Sequence, residues 1–155
     1  MASPGSIYTA SYLYRGADRM DCTRKGTDYL ARRGQPAPGA VLAPSWEILN
    51  PALHAMRAAQ TEAAKRAVFA RYEVAYLAEL RARRLRMEAD WRELLGRRVI
   101  TLVCFCPNPE FCHRRLAATE LAVASDGRLI YCGERLQPEP APLIRRLRHG
   151  YRSHD

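Results

Sequence analysis

Residues 104–115 read Cys-Phe-Cys-Pro-Asn-Pro-Glu-Phe-Cys-His-Arg-Arg. This short segment gathers three of the five cysteines, one of the four histidines and two arginines. The thiolate is the reactive form of cysteine, and a helix start, an imidazolium or a guanidinium beside it lowers the thiol pKa. Nucleophilic catalysis needs a thiol, a proton carrier and a place for negative charge. Cys112, His113 and Arg114 can fill these roles in that order. Adjacent helical residues diverge by about 100°, so Cys112 and His113 need not touch. Cys104 or Cys106 can equally be the working thiol. Taken alone, Cys104 reads as a small core residue at the end of an apolar strand.

The same residues admit a metal. Cys104, Cys106, Cys112 and His113 make a set of the kind that zinc takes, with iron a second choice. Their C-x-C-x5-C-H spacing lacks the paired C-x2–4-C turns of structural zinc sites. A thiol site without a cofactor is therefore the first expectation, and a zinc or iron site the alternative. The Cys-x5-Arg loop of tyrosine phosphatases is absent, because Cys112 stands where that arginine would follow Cys106.

The flanking segments must position this turn. Residues 99–105 form a continuous apolar run without alternation, which predicts a central strand covered on both faces. Residues 111–124 predict a helix, Asp126-Gly127 a turn and residues 128–132 another strand, a βαβ unit. Ligands in such sheets bind beyond the carboxyl ends of the strands. A helix starting there offers free N–H groups to an anion. Residues 6–14 predict the first strand, and residues 21–26 a strand end or loop. Residues 34–44 are a Pro/Gly-rich connector, too short to link domains. Helices follow: Ser45 caps a first turn, Asn50-Pro51 marks a helix start, Thr61-Glu62 opens a longer helix, and Gly96 ends a last one after residues 88–95.

The expected fold is a single three-layer α/β domain over residues 1–136. It has a mostly parallel sheet flanked by helices, a helical insertion at about 45–96 and a basic Pro/Arg-rich tail at 137–155. The net charge of +9 favours acidic partners, either nucleotides or nucleic acid. Arg81, Arg83, Arg84 and Arg86 on one helix, with the tail arginines, could grip nucleic acid without any catalysis. No apolar run approaches the roughly 20 residues of a membrane span, so no membrane partner is expected. An odd cysteine count without a secretion signal predicts reduced thiols and a cytoplasmic protein. His54, Tyr72 and Tyr76 read as packed residues or pocket wall.

The order Leu-Val-Cys-Phe-Cys, a Pro-containing turn, then Cys-His-Arg and a Leu-Ala helix resembles domain of unknown function family 488. Tyr8-Thr9-Ala10-Ser11-Tyr12, Thr23-Arg24-Lys25, Ala43-Pro44-Ser45-Trp46 and Gly133-Glu134-Arg135 fit the same resemblance, which spans about residues 6–135. Cys22 departs from it, where an aliphatic residue is expected. The resemblance implies an α/β fold with the Cys-His-Arg motif after a core strand, and it supplies no reaction. It also implies that Thr23, Arg24 and Lys25 lie near the 104–114 turn. Arg24, Lys25 and Arg114 would then clamp an anion in one pocket, with Tyr12 or Trp46 as a flat face. The function expected on this basis is an enzyme acting on a phosphate-bearing substrate through Cys112, His113 and Cys106.

Overall fold

Four segments, three of them rich in β-branched and aliphatic residues, pair into one sheet in the computed structural model, which describes residues 2–136. They are β1 (Gly5–Ser11), β2 (Arg19–Asp21), β3 (Val99–Cys104) and β4 (Leu129–Glu134). The order is β2-β3-β1-β4, and every pairing is parallel. Five α-helices flank it: α1 (Arg24–Arg32), α2 (Trp46–Ala58), α3 (Glu62–Arg86), α4 (Glu88–Leu95) and α5 (His113–Ala124). The expected α/β fold is present, and α2, α3 and α4 occupy the expected helical insertion.

The central place of β3 follows from its composition. Ile100 to Cys104 are all buried, as a strand with neighbours on both edges requires. In register, Ile7 lies beside Ile100, Thr9 beside Leu102 and Ser11 beside Cys104, so β1 and β3 end together. Side chains alternate along each strand. Ile7, Ile100 and Leu102 therefore share a face, and pack with Leu80, Trp91, Leu94 and Leu121 in the core.

α3 ties the helical layer to the sheet. Thr61 caps it, its hydroxyl accepting from the Ala64 amide at 3.1 Å. Tyr76 donates to the Leu42 carbonyl at 2.6 Å, and buried Arg83 donates to the carbonyls of Val41 and Ala43 at 3.0 and 2.6 Å. Arg83 also pairs with Glu79 at 3.3 Å, and Arg81 with Glu120 of α5 at 2.9 Å. The arginine cluster predicted to grip nucleic acid therefore spends two of its members on the fold.

Several boundaries differ from the sequence expectations. β1 stops at Ser11, and the chain turns back with Tyr14 N–H on the Ser11 carbonyl. Tyr12 and Tyr14 give their hydroxyls to Asp21 and Asp18, so these aromatics cover the turn and do not extend the strand. Residues 24–26 are the first turn of α1, not a loop. Thr23 caps it, accepting from Gly26 N–H at 2.9 Å. Of that helix only Gly26 and Thr27 are buried, so no apolar period announces it. Pro51 lies inside α2, because the extended backbone of Ser45 starts the helix at Trp46. Its missing N–H leaves the Glu47 carbonyl without the usual helical donor. The helix expected from Phe111 starts at His113, after a 3₁₀ turn at Pro109–Phe111. The basic tail lies outside the described residues. Among the described residues, no helix is long and apolar enough to cross a membrane.

A second 3₁₀ turn, Pro38–Leu42, crosses β2 so closely that a Cβ on Gly39 would overlap the Asp21 main-chain carbonyl. Backbone cannot swing aside as a side chain can. Gly39→Ala should cost about 1–3 kcal/mol, as overpacking does. Thermal unfolding would register this as a loss of roughly 2–4 °C per kcal/mol. An unchanged midpoint would contradict the close crossing.

Candidate functional site

The alternation of β3 continues past its end and sorts the turn residues. Cys104 follows Ile100 and Leu102 on the core face. Phe105 takes the other side, where it stacks on Tyr12 with centroids 4.0 Å apart. Cys106 returns to the side of Cys104, and the two sulfurs lie 3.8 Å apart. Cys112 is the N-cap of α5, its Sγ accepting from the Arg114 amide at 3.5 Å. The sulfurs of Cys104, Cys106 and Cys112 all lie within 4.8 Å of one another.

His113 opens α5 and is buried. Its Nε2 lies 2.8 Å from the Cys22 carbonyl oxygen. A carbonyl can only accept, so Nε2 carries a proton and donates. That leaves Nδ1, which faces the Cys104 sulfur at 3.8 Å. The ring also meets Tyr76 edge-on at 5.6 Å. His113 is thus brought to Cys104, while Cys112 meets Arg114 and the other two sulfurs. The adjacent pair predicted as thiol and proton partner is divided between two sulfurs.

The cluster sorts its protons unevenly. Hydrogen bonds from Cys106 and Cys112, then the Cys106 main chain and the Arg114 charge, outweigh burial and lower the Cys104 pKa to about 3. Donating to Cys104 pushes the Cys106 thiol up. Burial, then donation to its neighbours, pushes Cys112 up further. Burial likewise raises Cys22. For His113, burial opposes charge, but the charge and hydrogen bonds of Cys22 and the nearby Cys106 carry its pKa above the usual value. At neutral pH the cluster holds one thiolate, on Cys104, beside two thiols.

Arg114 is only 1% exposed. It grips Glu134 of β4 with two nitrogens, at 2.8 and 3.3 Å. Its Nη1 donates to the Cys106 carbonyl at 2.9 Å and reaches Cys112 Sγ at 3.6 Å. Thr9 gives Glu134 a further hydrogen bond at 2.5 Å. The guanidinium therefore holds the turn in place.

Arg24 is committed as well. It donates to the Pro44 and Ala43 carbonyls, both at 3.0 Å, and pairs with Asp28 at 3.2 Å. The expected anion clamp of Arg24, Lys25 and Arg114 is therefore not assembled, because two of the three are spent on protein acceptors. Lys25 is exposed. Thr23 serves as a helix cap. Trp46 is 43% exposed, so it is not the core anchor its size suggests, and its Nε1 donates to Asp28 at 3.0 Å.

A cavity of about 330 Å³ opens between α2, α3 and the turn. Leu49, Leu53, Met56, Phe69 and Phe111 are among its walls, and it includes Cys106 and His113. α2 is rich in apolar residues and buries none of them fully. Tyr72 also lines the cavity, and its buried hydroxyl has no hydrogen-bond partner. Burial, followed by the cysteine charges nearby, raises its pKa. Sequence reasoning missed the Cys22 carbonyl, Glu134, the hydroxyl of Tyr72 and this apolar cleft. A Glu in Gly133-Glu134-Arg135 and the unburied apolar face of α2 were the available signals.

Three sulfurs this close could hold one soft metal ion. The imidazole is not within the same distance of all three, so the set is three thiols and not the predicted four ligands.

No curated protein and no solved structure matches the chain. A family model described as DUF488-N3a, the active DUF488-N3 subclade, matches residues 7–124. That span runs from β1 to the end of α5. It contains the three thiols, His113 and Arg114, and leaves out Glu134. The chain belongs to the DUF488 family.

Proposed function

We propose that this chain is a cysteine-dependent enzyme that transfers a group through a covalent bond to Cys104. The observation that carries the proposal is the setting of one sulfur. Cys104 Sγ sits between two thiols and Nδ1 of an imidazole whose Nε2 is tied to the Cys22 carbonyl. This is the constellation of an activated nucleophile: a thiol, a proton carrier and a group that orients the carrier.

The Cys104 thiolate attacks an electrophilic centre and forms a bond from sulfur. The leaving group departs with the electron pair of the bond that breaks, and takes the proton of His113 Nδ1. Water or another acceptor then displaces the thiolate and returns a proton to His113. Cys106 and Cys112 stabilise the thiolate between turnovers. Arg114 is a positioning residue, since it holds the Cys106 carbonyl and Cys112 in place. The apolar cleft takes a flat or apolar part of the substrate, and Tyr72 has a hydroxyl to give it. The net charge of +9 favours a phosphate-bearing substrate, a nucleotide or nucleic acid. With Arg24 and Arg114 engaged, its phosphates meet other cations.

Thiolate absorbance tests the nucleophile without requiring a substrate. With a pKa near 3, Cys104 is deprotonated throughout the neutral range. One thiolate per chain should persist between about pH 5 and pH 8, well below an ordinary thiol midpoint of about 8.5. Cys104→Ser should abolish it. Thiolate that appears only near the ordinary midpoint would refute the proposal.

The Cys106 thiol is the strongest stabilising donor, so Cys106→Ala should raise the Cys104 midpoint by about one unit or more. An unmoved midpoint would show that another group sets it.

The three sulfurs favour one competing reading, a metal centre. Elemental analysis of purified protein separates the two. The enzyme reading predicts folded protein with well under one equivalent of metal. One equivalent that is lost together with folding on chelation would establish the metal centre.

A further inference from the structure

A second groove, about 300 Å³, lies on the other side of the same turn. Tyr12, Lys25, Gly26, Tyr29, Arg32 and Phe105 line it. Flat groups are piled against it. The Arg19 guanidinium lies 4.4 Å over the Tyr12 ring, and Phe105 stacks on that ring with an interplanar angle of 28°. The pile ends at Phe105, which is 53% exposed. Tyr29, 50% exposed, rises from α1 with the Arg33 guanidinium 5.6 Å over its ring.

The cations of this groove are available. Lys25 and Arg32 are exposed, and neither pairs with an acid among the described residues. The two acids closest in the chain are occupied. Asp21 accepts from Tyr12 and Thr23, and Asp28 from Arg24 and Trp46. The groove therefore combines open aromatic faces with two cations that form no ion pair among the described residues.

Stacking platforms beside phosphate-binding cations are how proteins hold single strands, whose base faces a duplex would hide. We infer that this groove binds single-stranded nucleic acid. One base stacks on Phe105, a neighbour lies against Tyr29, and the phosphates meet Lys25 and Arg32. Phe105 sits between Cys104 and Cys106 in the chain, so a strand held there lies one residue from the thiol cluster, on the opposite side of the turn. That link to chemistry rests on the enzyme proposal, whereas the binding itself does not.

Fluorescence anisotropy of a labelled octathymidylate, single-stranded and annealed to its complement, tests the inference. The full chain carrying Cys104→Ser serves as the parent, so no reaction intervenes and the basic tail is common to every variant. The parent should bind the single strand more tightly than the duplex. Lys25→Glu with Arg32→Glu should weaken single-strand binding about tenfold or more at low salt, and reduce the salt slope by about 1.4 for two lost phosphate contacts. Phe105→Leu keeps an apolar side chain and loses the flat face. It should weaken binding about fivefold or more, with the salt slope unchanged. Binding unaffected by either change would overturn the inference, as would equal affinity for the duplex. Strand binding by the parent, together with no thiolate below the ordinary midpoint in the unsubstituted chain, would uphold the groove and remove only the enzyme proposal.

Discussion

One buried hydrogen bond, from His113 Nε2 to the Cys22 carbonyl, governs what the rest of the site can do. It fixes the tautomer and aims the other nitrogen. Without it the imidazole could turn either edge to Cys104. With it, only Nδ1 faces the sulfur. The bond also joins two distant parts of the chain, the end of β2 and the start of α5. β2 pairs with β3 in register, so the sheet sets the distance that this bond closes. The Arg114–Glu134 pair does the same work from the far side of the sheet, drawing β4 toward the turn. The geometry of the candidate site is thus a property of strand order.

The two sides of one strand end present different surfaces. Alternation at Cys104, Phe105 and Cys106 sends sulfur to the core face and an aromatic ring to the other. The core side is largely apolar and lined by α2 and α3. The other side is open and cationic. In parallel α/β sheets, binding sites gather beyond the carboxyl ends of the strands because the strands stop there and the loops diverge. Here the divergence is narrow enough that one residue separates the two sides.

Much of this was legible in the sequence. The unbroken apolar run of β3 announced a central strand, and the Cys-His-Arg segment announced a site at its end. Thr61 and Gly96 marked helix ends because each is a local signal read within one turn. Partner choice was not legible. His113 follows Cys112 in the chain, yet its ring meets Cys104 and Cys22, because helix geometry sends adjacent residues apart. The arginines misled for a related reason. Charge can be counted from composition, but whether Arg24, Arg83 and Arg114 face a ligand or a carbonyl depends on contacts across the fold. α1 escaped notice because a helix that buries little has no apolar period to read.

The account stands on one pair inside the protein, the Cys104 thiolate and the His113 ring held beside it by the Cys22 carbonyl. Nitrogen NMR of the imidazole measures that pair most directly, since each ring nitrogen reports its own proton. Nε2 should keep its proton throughout the titration, and the midpoint of Nδ1 should lie above the ordinary imidazole value and fall in Cys104→Ser. A Nδ1 midpoint at or below the ordinary imidazole value, unmoved by Cys104→Ser, would contradict the account.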